Sequence, residues 1–255
     1  MLFGHEDKIK AFKKLIGEGK LSHAYLFYGD AQIGKFSFAA ALANFLEFGK
    51  FEILSEPLVD TKIFAPNDMG TISIDAVRGI KHFLWQTPFR SPKKLAIIDE
   101  AQALTREAQG ALLKIVEEPP PHGLLIFIAS SLEVFSPPLL SRLIKIYFRR
   151  LPDEKLEKIL IENFNAAPAK AKTIAENSFG RIGLALGLLN GGKTNEAEDN
   201  LENDLENEIL ALRKRDIFKN AVLIAWLLEK ESALKKYNLN KNLQKKAIET
   251  KLYKS

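Results

Sequence analysis

The segment Gly29-Asp30-Ala31-Gln32-Ile33-Gly34-Lys35 constrains the fold most, because it has the spacing of a phosphate-binding loop. In such a loop, glycines such as Gly29 and Gly34 let main-chain N–H groups surround phosphate oxygens, and a lysine such as Lys35 neutralises their charge. A hydroxyl group that ligates Mg²⁺ normally follows the lysine, but this chain has Phe36 there. Ser37 lies about 100° further around a helix, so we expect it near the nucleotide without reaching the same metal.

A strand and a helix are predicted on either side of this loop. Residues His23–Tyr28 form an apolar, aromatic run typical of a buried strand, and the Ala-, Leu- and Phe-rich stretch Phe36–Phe48 predicts a helix that ends at Gly49. A strand, a glycine-rich loop and a helix in this order point N–H groups and the positive helix end at a phosphate. The alternative, a glycine-rich turn in another α/β protein, stays open on this motif alone.

The pattern of the whole chain predicts three segments. Residues 1–150 alternate short apolar strands with helices, which is typical of a parallel sheet with helices on both faces. Residues 151–190 are predicted to be helical throughout. Residues 191–255 begin with a Gly191-Gly192 linker and carry, beyond it, one apolar helix face made of Ile217, Ala221, Ile224 and Leu228. The predicted class is α/β: a nucleotide-binding sheet domain, a helical lid and a short all-helical C-terminal segment.

Further elements are predicted inside the first segment. Residues 93–100 read as an apolar strand ending in two carboxylates, and residues 124–131 as a buried strand ending in hydroxyl groups. Val77, Ile80 and Leu84 indicate one helix face, for which Asp75 is the predicted N-cap. The Pro-containing residues 51–68 are poorly periodic and are predicted to be a surface excursion.

Composition narrows the classes of function. The chain has 255 residues and is 46% hydrophobic, which is enough for a substantial core. No apolar run approaches the ~20 residues of a membrane span, and no signal peptide is recognisable, so we expect a cytoplasmic protein without membrane contact. The absence of cysteine excludes disulfides and thiolate zinc sites. A net charge of +5 is compatible with contact to a nucleic-acid backbone.

Three groups of residues are candidate catalytic groups. Asp99 and Glu100 close a predicted strand, as a Mg²⁺-associated acid and a water-orienting acid do beside a phosphate-binding loop. The alternative for these two is a pair of solvated acids. Ser131, at the end of the next strand, is a candidate donor to a γ-phosphate or its attacking water, and a simple strand-end turn is the alternative. Arg142 follows Pro137-Pro138-Leu139-Leu140-Ser141 and can serve a neighbouring molecule's nucleotide or pair with a local acid.

Taken together, six motifs carry a resemblance to a known family, and the run Leu21–Phe27 is the second of them. The order is Gly4-His5, Leu21–Phe27, Gly29–Lys35, Ile98-Asp99-Glu100-Ala101, Ala108–Pro120 with its Ala-Leu-Leu-Lys and Glu-Glu-Pro-Pro runs, and Ser141-Arg142. The chain resembles the bacterial clamp-loader AAA+ family over residues 1–190, and within it the delta-prime type of DNA polymerase III subunit.

The resemblance implies a role in DNA replication. Five such subunits use ATP to open a sliding clamp and load it on primed DNA, so the implied partners are gamma/tau and delta subunits, the clamp and primed DNA. It implies an impaired nucleotide site in this chain, with ATP held weakly if at all and Mg²⁺ only when ATP is bound. It also implies that Arg142 acts as an arginine finger on an adjacent subunit's ATP.

Several residues depart from the family pattern. Leu143 follows Ser141-Arg142 where the family has cysteine, and residues 51–68 lack the four cysteines of the family's zinc module, so we predict no zinc. Gly183 stands where active loaders place a γ-phosphate arginine, and Arg181 is offset by two residues.

Two alternative functions remain from the sequence. One is a catalytically active gamma/tau-type ATPase, because Lys35, Asp99 and Glu100 are all present. The other is a DNA-binding module on a vestigial nucleotide-binding fold. The residues considered for phosphate contacts are basic side chains of the first segment: Lys81, Arg90, Arg106 and Lys114.

Overall fold

The computed structural model describes residues 2–53, 56–190, 205, 208, 209, 212 and 221–236. The chain separates into two compact units, one made of residues 1–151 with 181–183 and one of residues 152–180 with 184–255. The three-segment division expected from the sequence stays a prediction. The predicted Gly191-Gly192 linker and Ile217 lie outside the described residues.

The first unit is built on a five-stranded parallel sheet. Its strands are β1 (Ala24–Tyr28), β2 (Thr61–Phe64), β3 (Lys94–Ile98), β4 (Gly123–Ala129) and β5 (Ile144–Tyr147), in the order β2-β3-β4-β1-β5. In the register, Tyr28 at the end of β1 lies opposite Ala129 on one side and Tyr147 on the other. The segments that follow β1, β3 and β4 therefore leave from one edge of the sheet, where ligands of open parallel sheets bind.

Helices cover both faces of this sheet. The helices of the first unit are α1 (Glu6–Gly17), α2 (Lys35–Phe48), α3 (Ile74–Leu84), α4 (Arg106–Glu117) and the short α5 (Pro137–Leu140). Side chains alternate between the faces: Leu26 and Phe127 pack in a core with α3 and α4, whereas Phe27 and Ile126 pack in a core with α1 and α2. The predicted α/β sheet with two helical layers is thus confirmed.

Most predicted elements of this unit occur close to their predicted bounds. β1, β3 and β4 are the three apolar runs, and α2 ends at Gly49, whose backbone is left-handed. The sequence prediction for α3 was wrong at its start, because the residue at the N-cap position is Ser73. Asp75 lies inside the first turn and pairs with Arg78 (2.6 Å).

The two edge strands were not predicted. β2 lies in residues 51–68, which were expected to be a surface excursion, and β5 was not assigned to any element. In β2 the side chains of Lys62 and Ile63 are exposed, and in β5 those of Ile144 and Tyr147 are. An edge strand pairs on one side only, so it lacks the continuous apolar run that identifies a central strand.

The second unit is helical where it is described. It contains α6 (Asp153–Phe164), α7 (Pro168–Ser178), most of α8 (Ile182–Leu189) and α9 (Ala221–Lys236). In α9 the predicted face holds for Ile224, which is buried, but not for Leu228, which is 38% exposed while Leu227 is buried. Ile224 and Leu227 pack with Leu205, Ile209 and Leu212.

Candidate functional site

The phosphate-binding loop needs its two glycines for different reasons. Gly29 has φ +134°, and a Cβ atom there would lie 2.5 Å from the carbonyl oxygen of Phe148, which no side chain tolerates. Gly34 has φ +94° and occupies the N-cap of α2. The predicted strand–loop–helix arrangement is therefore present, with the N-terminus of α2 at the end of the loop.

Lys35 is buried in the loop that precedes it. Its ammonium group donates hydrogen bonds to the carbonyl oxygens of Gly29 and Asp30. The Asp30 carboxylate forms an ion pair with Arg150, just beyond β5. Burial raises the pKa of Asp30, but the hydrogen bond and charge of Arg150, with the charges of Arg181 and Lys35, outweigh it and hold the pKa below its ordinary value. This part of the loop is therefore fixed by charges within the chain.

The first turn of α2 carries Phe36 and Ser37. Phe36 is the second residue of the helix and its ring is 39% exposed. Ser37 is half-buried, one position further around the helix. Helical geometry separates these two directions by about 100°, so the hydroxyl group does not take the position that Phe36 occupies.

The segment Arg181–Gly183 closes on the same loop. The main-chain N–H of Gly183 donates to the carbonyl oxygen of Gln32 (2.8 Å). A Cβ atom on Gly183 would lie 2.9 Å from the Cβ of Gln32 and 3.1 Å from its carbonyl oxygen. Arg181 is buried, and its charge acts on Asp30. A glycine at position 183 is therefore required by the close approach of two backbones.

The N-terminal motif also reaches the loop. His5 is buried with φ +61°, and its Nε2 donates to the carbonyl oxygen of Ile33 (2.9 Å). Its ring lies edge-on to Phe148, with centroids 4.7 Å apart. Burial lowers the pKa of His5, although the Ile33 hydrogen bond opposes the shift, and this favours the neutral ring.

Asp99 and Glu100 follow β3, as predicted, but their surroundings differ. Asp99 is half-buried, and burial raises its pKa, opposed by the Glu100 N–H (3.0 Å) and the charge of Lys35. Glu100 is exposed and has a left-handed backbone, with φ +47° and ψ +46°. The structure thus brings Asp99 within the electrostatic reach of Lys35. The catalytic roles of Asp99 and Glu100 stay predictions.

Ser131 follows β4 in a local turn. Its Oγ accepts a hydrogen bond from the main-chain N–H of Glu133 (3.2 Å), and the preceding Ser130 is exposed. This contact is the one expected for a strand-end turn. A role of Ser131 toward phosphate stays a prediction.

Arg142 lies one residue beyond the C-cap of α5 and is held from two sides. Its Nη1 donates to the carbonyl oxygen of Pro138 (2.9 Å) and to the Ser141 Oγ (3.3 Å). Its Nη2 lies 2.8 Å from a carboxylate oxygen of Glu117, the last residue of α4, and both side chains are 41% exposed. The local acid considered from the sequence is therefore present, and the guanidinium is still accessible to solvent.

The sequence reasoning gave no role to Gln109, which connects α4 to the approach to Arg142. Gln109 is buried; its side-chain amide donates to the carbonyl oxygen of Val134 (3.0 Å) and its carbonyl accepts from Ser136 N–H (2.7 Å). Ser136 is the N-cap of α5. A polar residue on the apolar face of α4 was the one sign of this contact.

The basic residues considered for DNA contacts lie on α3, α4 and the segment between α3 and β3. Lys81 and Lys114 line a groove between α3 and α4, together with Trp85, which is 59% exposed. Arg106 begins α4 and is exposed, and the Arg90 guanidinium lies 5.6 Å from the centroid of the Phe48 ring. Their contacts with nucleic acid stay a prediction.

The residues present fit a nucleotide phosphate only in part. The glycine loop, Lys35 and the N-terminus of α2 have the chemistry of a phosphate site. Mg²⁺ bound at the loop does not fit, because Phe36 has no ligand atom at the position where a hydroxyl group normally holds the ion. We therefore derive no hydrolytic step in this chain's own loop.

Among the residues that the structure describes, no helix is long and apolar enough to cross a membrane.

Sequence comparison finds relatives among DNA-replication proteins. A sequence profile of the family described as DNA polymerase III, delta subunit, matches residues 4–152. Replication factor C subunit 3 of Saccharomyces cerevisiae is 32% identical over 250 residues, which cover 94% of this chain and 70% of the yeast protein. DNA polymerase III subunit gamma/tau of Mycobacterium tuberculosis is 31% identical over 170 residues, which cover 62% of this chain and 29% of that protein.

Solved structures share the fold. A DNA polymerase III gamma subunit-related protein of Thermotoga maritima matches with a TM-score of 0.52 and 17% identity, over 93% of this chain and 96% of that one. The RuvB Holliday junction branch migration motor of the same organism matches with a TM-score of 0.54 and 17% identity, over 74% of this chain and 61% of that one. These likenesses support the AAA+ type of α/β fold.

Proposed function

The chain belongs to the DNA polymerase III delta-subunit family of clamp-loader AAA+ proteins, and we propose that it acts as a delta-prime-type subunit, supplying Arg142 to ATP bound by a neighbouring subunit. In this proposal its own loop hydrolyses little or no ATP. The observation that carries the proposal is Phe36 in the first turn of α2, at the position of the Mg²⁺ ligand. Mg²⁺ and its ligands neutralise the charge that develops during phosphoryl transfer, so a loop without that ligand is a poor catalyst.

The closed loop supports the same half of the proposal. Lys35 already donates to the carbonyl oxygens of Gly29 and Asp30, and Gly183 stands where active loaders place an arginine. Its N–H closes on Gln32 (2.8 Å). Polar groups that already donate hydrogen bonds to the loop's own carbonyl oxygens are less available to bind a triphosphate.

The surroundings of Arg142 support the trans role. A guanidinium stays charged at any physiological pH and matches the geometry of phosphate oxygens. Arg142 is 41% exposed on a short turn whose position is fixed by the Gln109 hydrogen bonds. An arginine supplied in trans is worth roughly 10³ to 10⁵ in rate, because it stabilises the charge of the transition state.

The names of the relatives suggest the partners. The curated relatives are subunits of replication factor C and of DNA polymerase III. We accordingly assign as partners a gamma/tau-type ATPase, a delta-type subunit, a sliding clamp and primed DNA, in the cytoplasm. The basic residues of α3 and α4 are the surface offered to DNA phosphates.

The alternative is an active gamma/tau-type ATPase. It is favoured by one observation, the electrostatic interaction between Asp99 and Lys35. An active site of this class needs both groups beside the triphosphate.

ATP turnover by the purified chain separates the two functions. We expect negligible turnover with or without primed DNA, and an unchanged result for Lys35→Ala. Robust turnover that Lys35→Ala abolishes would establish the alternative. In a reconstituted loader, Arg142→Ala should lower ATP hydrolysis at one site by at least ~100-fold. Lys10→Ala, at an exposed lysine of α1 to which no DNA contact is assigned, is the matched control for the loss of one positive charge.

A further inference from the structure

We propose that Glu117 is a positioning residue for Arg142, holding the guanidinium in the orientation that the neighbouring subunit's nucleotide requires. This inference rests on the proposed trans role of Arg142. It concerns Glu117, the last residue of α4 and the first residue of the Glu-Glu-Pro-Pro run, to which the sequence analysis assigns no role of its own.

The contacts of Arg142 come from two separate elements. The α5 side contributes the carbonyl oxygen of Pro138 (2.9 Å) and the Ser141 Oγ (3.3 Å), both on Nη1. Helix α4 contributes Glu117, whose carboxylate oxygen lies 2.8 Å from Nη2. Without Glu117 the guanidinium would be tethered through Nη1 alone, and its plane could turn about that point.

The position of Glu117 on its helix is unfavourable for an acid. The C-terminus of a helix carries partial negative charge, so a carboxylate in the last turn is repelled by it. The Arg142 guanidinium opposes that repulsion. The ion pair with Arg142 is therefore the interaction that favours a carboxylate at position 117.

Fixing this arginine in advance has a kinetic consequence. An arginine side chain carries about 2 kcal/mol of rotamer entropy, part of which is lost when it engages a phosphate. If the fold has already restricted the side chain, less is lost at the moment of reaction. The pair is 41% exposed on both sides, and exposed pairs contribute little to stability. Removing Glu117 should therefore affect catalysis much more than folding.

The test uses this 255-residue chain in a loader reconstituted with the gamma/tau-type ATPase, the clamp and primed DNA. Glu117→Ala should lower kcat at the shared site roughly tenfold with KM unchanged, since a misplaced group can cost up to about 10²-fold. Glu117→Gln keeps an acceptor oxygen and should retain most of the rate. Glu154→Ala is the matched control, because Glu154 is an exposed glutamate of α6 that does not line the groove between α3 and α4.

A double variant separates positioning from a general structural effect. If Glu117 acts through Arg142, Glu117→Ala should have no further effect on a loader that already carries Arg142→Ala. A further loss in that background, or a full rate for Glu117→Ala where Arg142→Ala is impaired, would overturn the positioning role alone. A full rate for Arg142→Ala would reject the proposed function and the positioning role with it.

Discussion

The main-chain N–H of Gly183 donates a 2.8 Å hydrogen bond to the carbonyl oxygen of Gln32, in the middle of the phosphate-binding loop. Gln32 itself has a left-handed backbone, with φ +61°. The loop is thus held in a strained conformation by a residue about 150 positions later in the chain. This contact ties the loop to the start of α8.

The first prediction concerns Gly183, where a side chain would meet the Gln32 backbone. Gly183→Ala places a Cβ 2.9 Å from the Gln32 Cβ and 3.1 Å from its carbonyl oxygen, so one backbone has to move. We expect a loss of about 1–3 kcal/mol in the free energy of unfolding, measured by urea denaturation.

Gly110→Ala is the matched control for that substitution. Gly110 lies inside α4 with open space around its Cα, so alanine should stabilise the chain by up to about 1 kcal/mol. Equal effects of the two substitutions would contradict the close approach of Gly183 and Gln32.

The second prediction concerns Asp60, which is fully buried. Its carboxylate accepts from the N–H groups of Phe89, Arg90 and Ser91 and forms an ion pair with buried Lys94 (3.0 Å). Burial raises the pKa of Asp60, but these contacts outweigh it and lower the pKa from 3.8 to about 2. Asp60→Asn leaves the Lys94 charge unpaired and should cost about 3–5 kcal/mol of unfolding free energy.

The third prediction is the pH dependence of that contribution. A carboxyl group with a lowered pKa stabilises the fold fully above its unfolded pKa and loses this stabilisation as pH falls through its folded pKa. The part linked to proton binding, about 2 kcal/mol, should therefore disappear between about pH 4 and pH 2. Asp75→Asn, at an exposed pair, should change stability by less than ~0.5 kcal/mol. A flat difference between wild type and Asp60→Asn across this range would contradict the lowered pKa.

The fourth prediction concerns Asp99, whose pKa is shifted the other way. Burial disfavours its charged form, so Asp99→Asn should raise the free energy of unfolding at pH 7, by less than ~1 kcal/mol because the side chain is only half-buried. Asparagine keeps an acceptor for the Glu100 N–H. At a pH below the ordinary value of 3.8 both states are protonated and the gain should vanish. A loss of stability at pH 7 would show that the charge is needed.

The fifth prediction concerns Gln109. Gln109→Ala leaves the Val134 carbonyl and the Ser136 N–H without their side-chain partner, which should cost about 2–3 kcal/mol. Gln102→Ala, at an exposed position, should be neutral. If both variants unfold at the same urea concentration, the tie between α4 and the Arg142 turn contributes nothing.

How far the fold was predictable depended on where each strand lies in the sheet. The central strands β1, β3 and β4 are buried on both faces and show as unbroken apolar runs. The edge strands β2 and β5 expose Lys62, Ile63 and Ile144, and four-residue strands with mixed polarity resemble loops in a sequence.

The geometry of the candidate site was predictable where it depends on residues that are close in the sequence. The loop from Gly29 to Lys35 and the acid Asp99 are recognisable from spacing alone. The ion pair between Asp30 and Arg150 is not, because its partners are 120 residues apart in the chain. The same holds for the contact between Gln32 and Gly183, which depends on tertiary structure and leaves no local pattern.

Finally, the hydrogen bonds of Lys35 have a bearing on any polyanion that enters its loop. The ammonium already has two carbonyl acceptors, those of Gly29 and Asp30. An incoming triphosphate would have to displace both carbonyl oxygens before it could bind the ammonium group. The net binding free energy is therefore the difference between the new hydrogen bonds to the triphosphate and the two that are lost. Tight nucleotide capture in this protein would consequently begin with a rearrangement of the loop, not with a simple encounter.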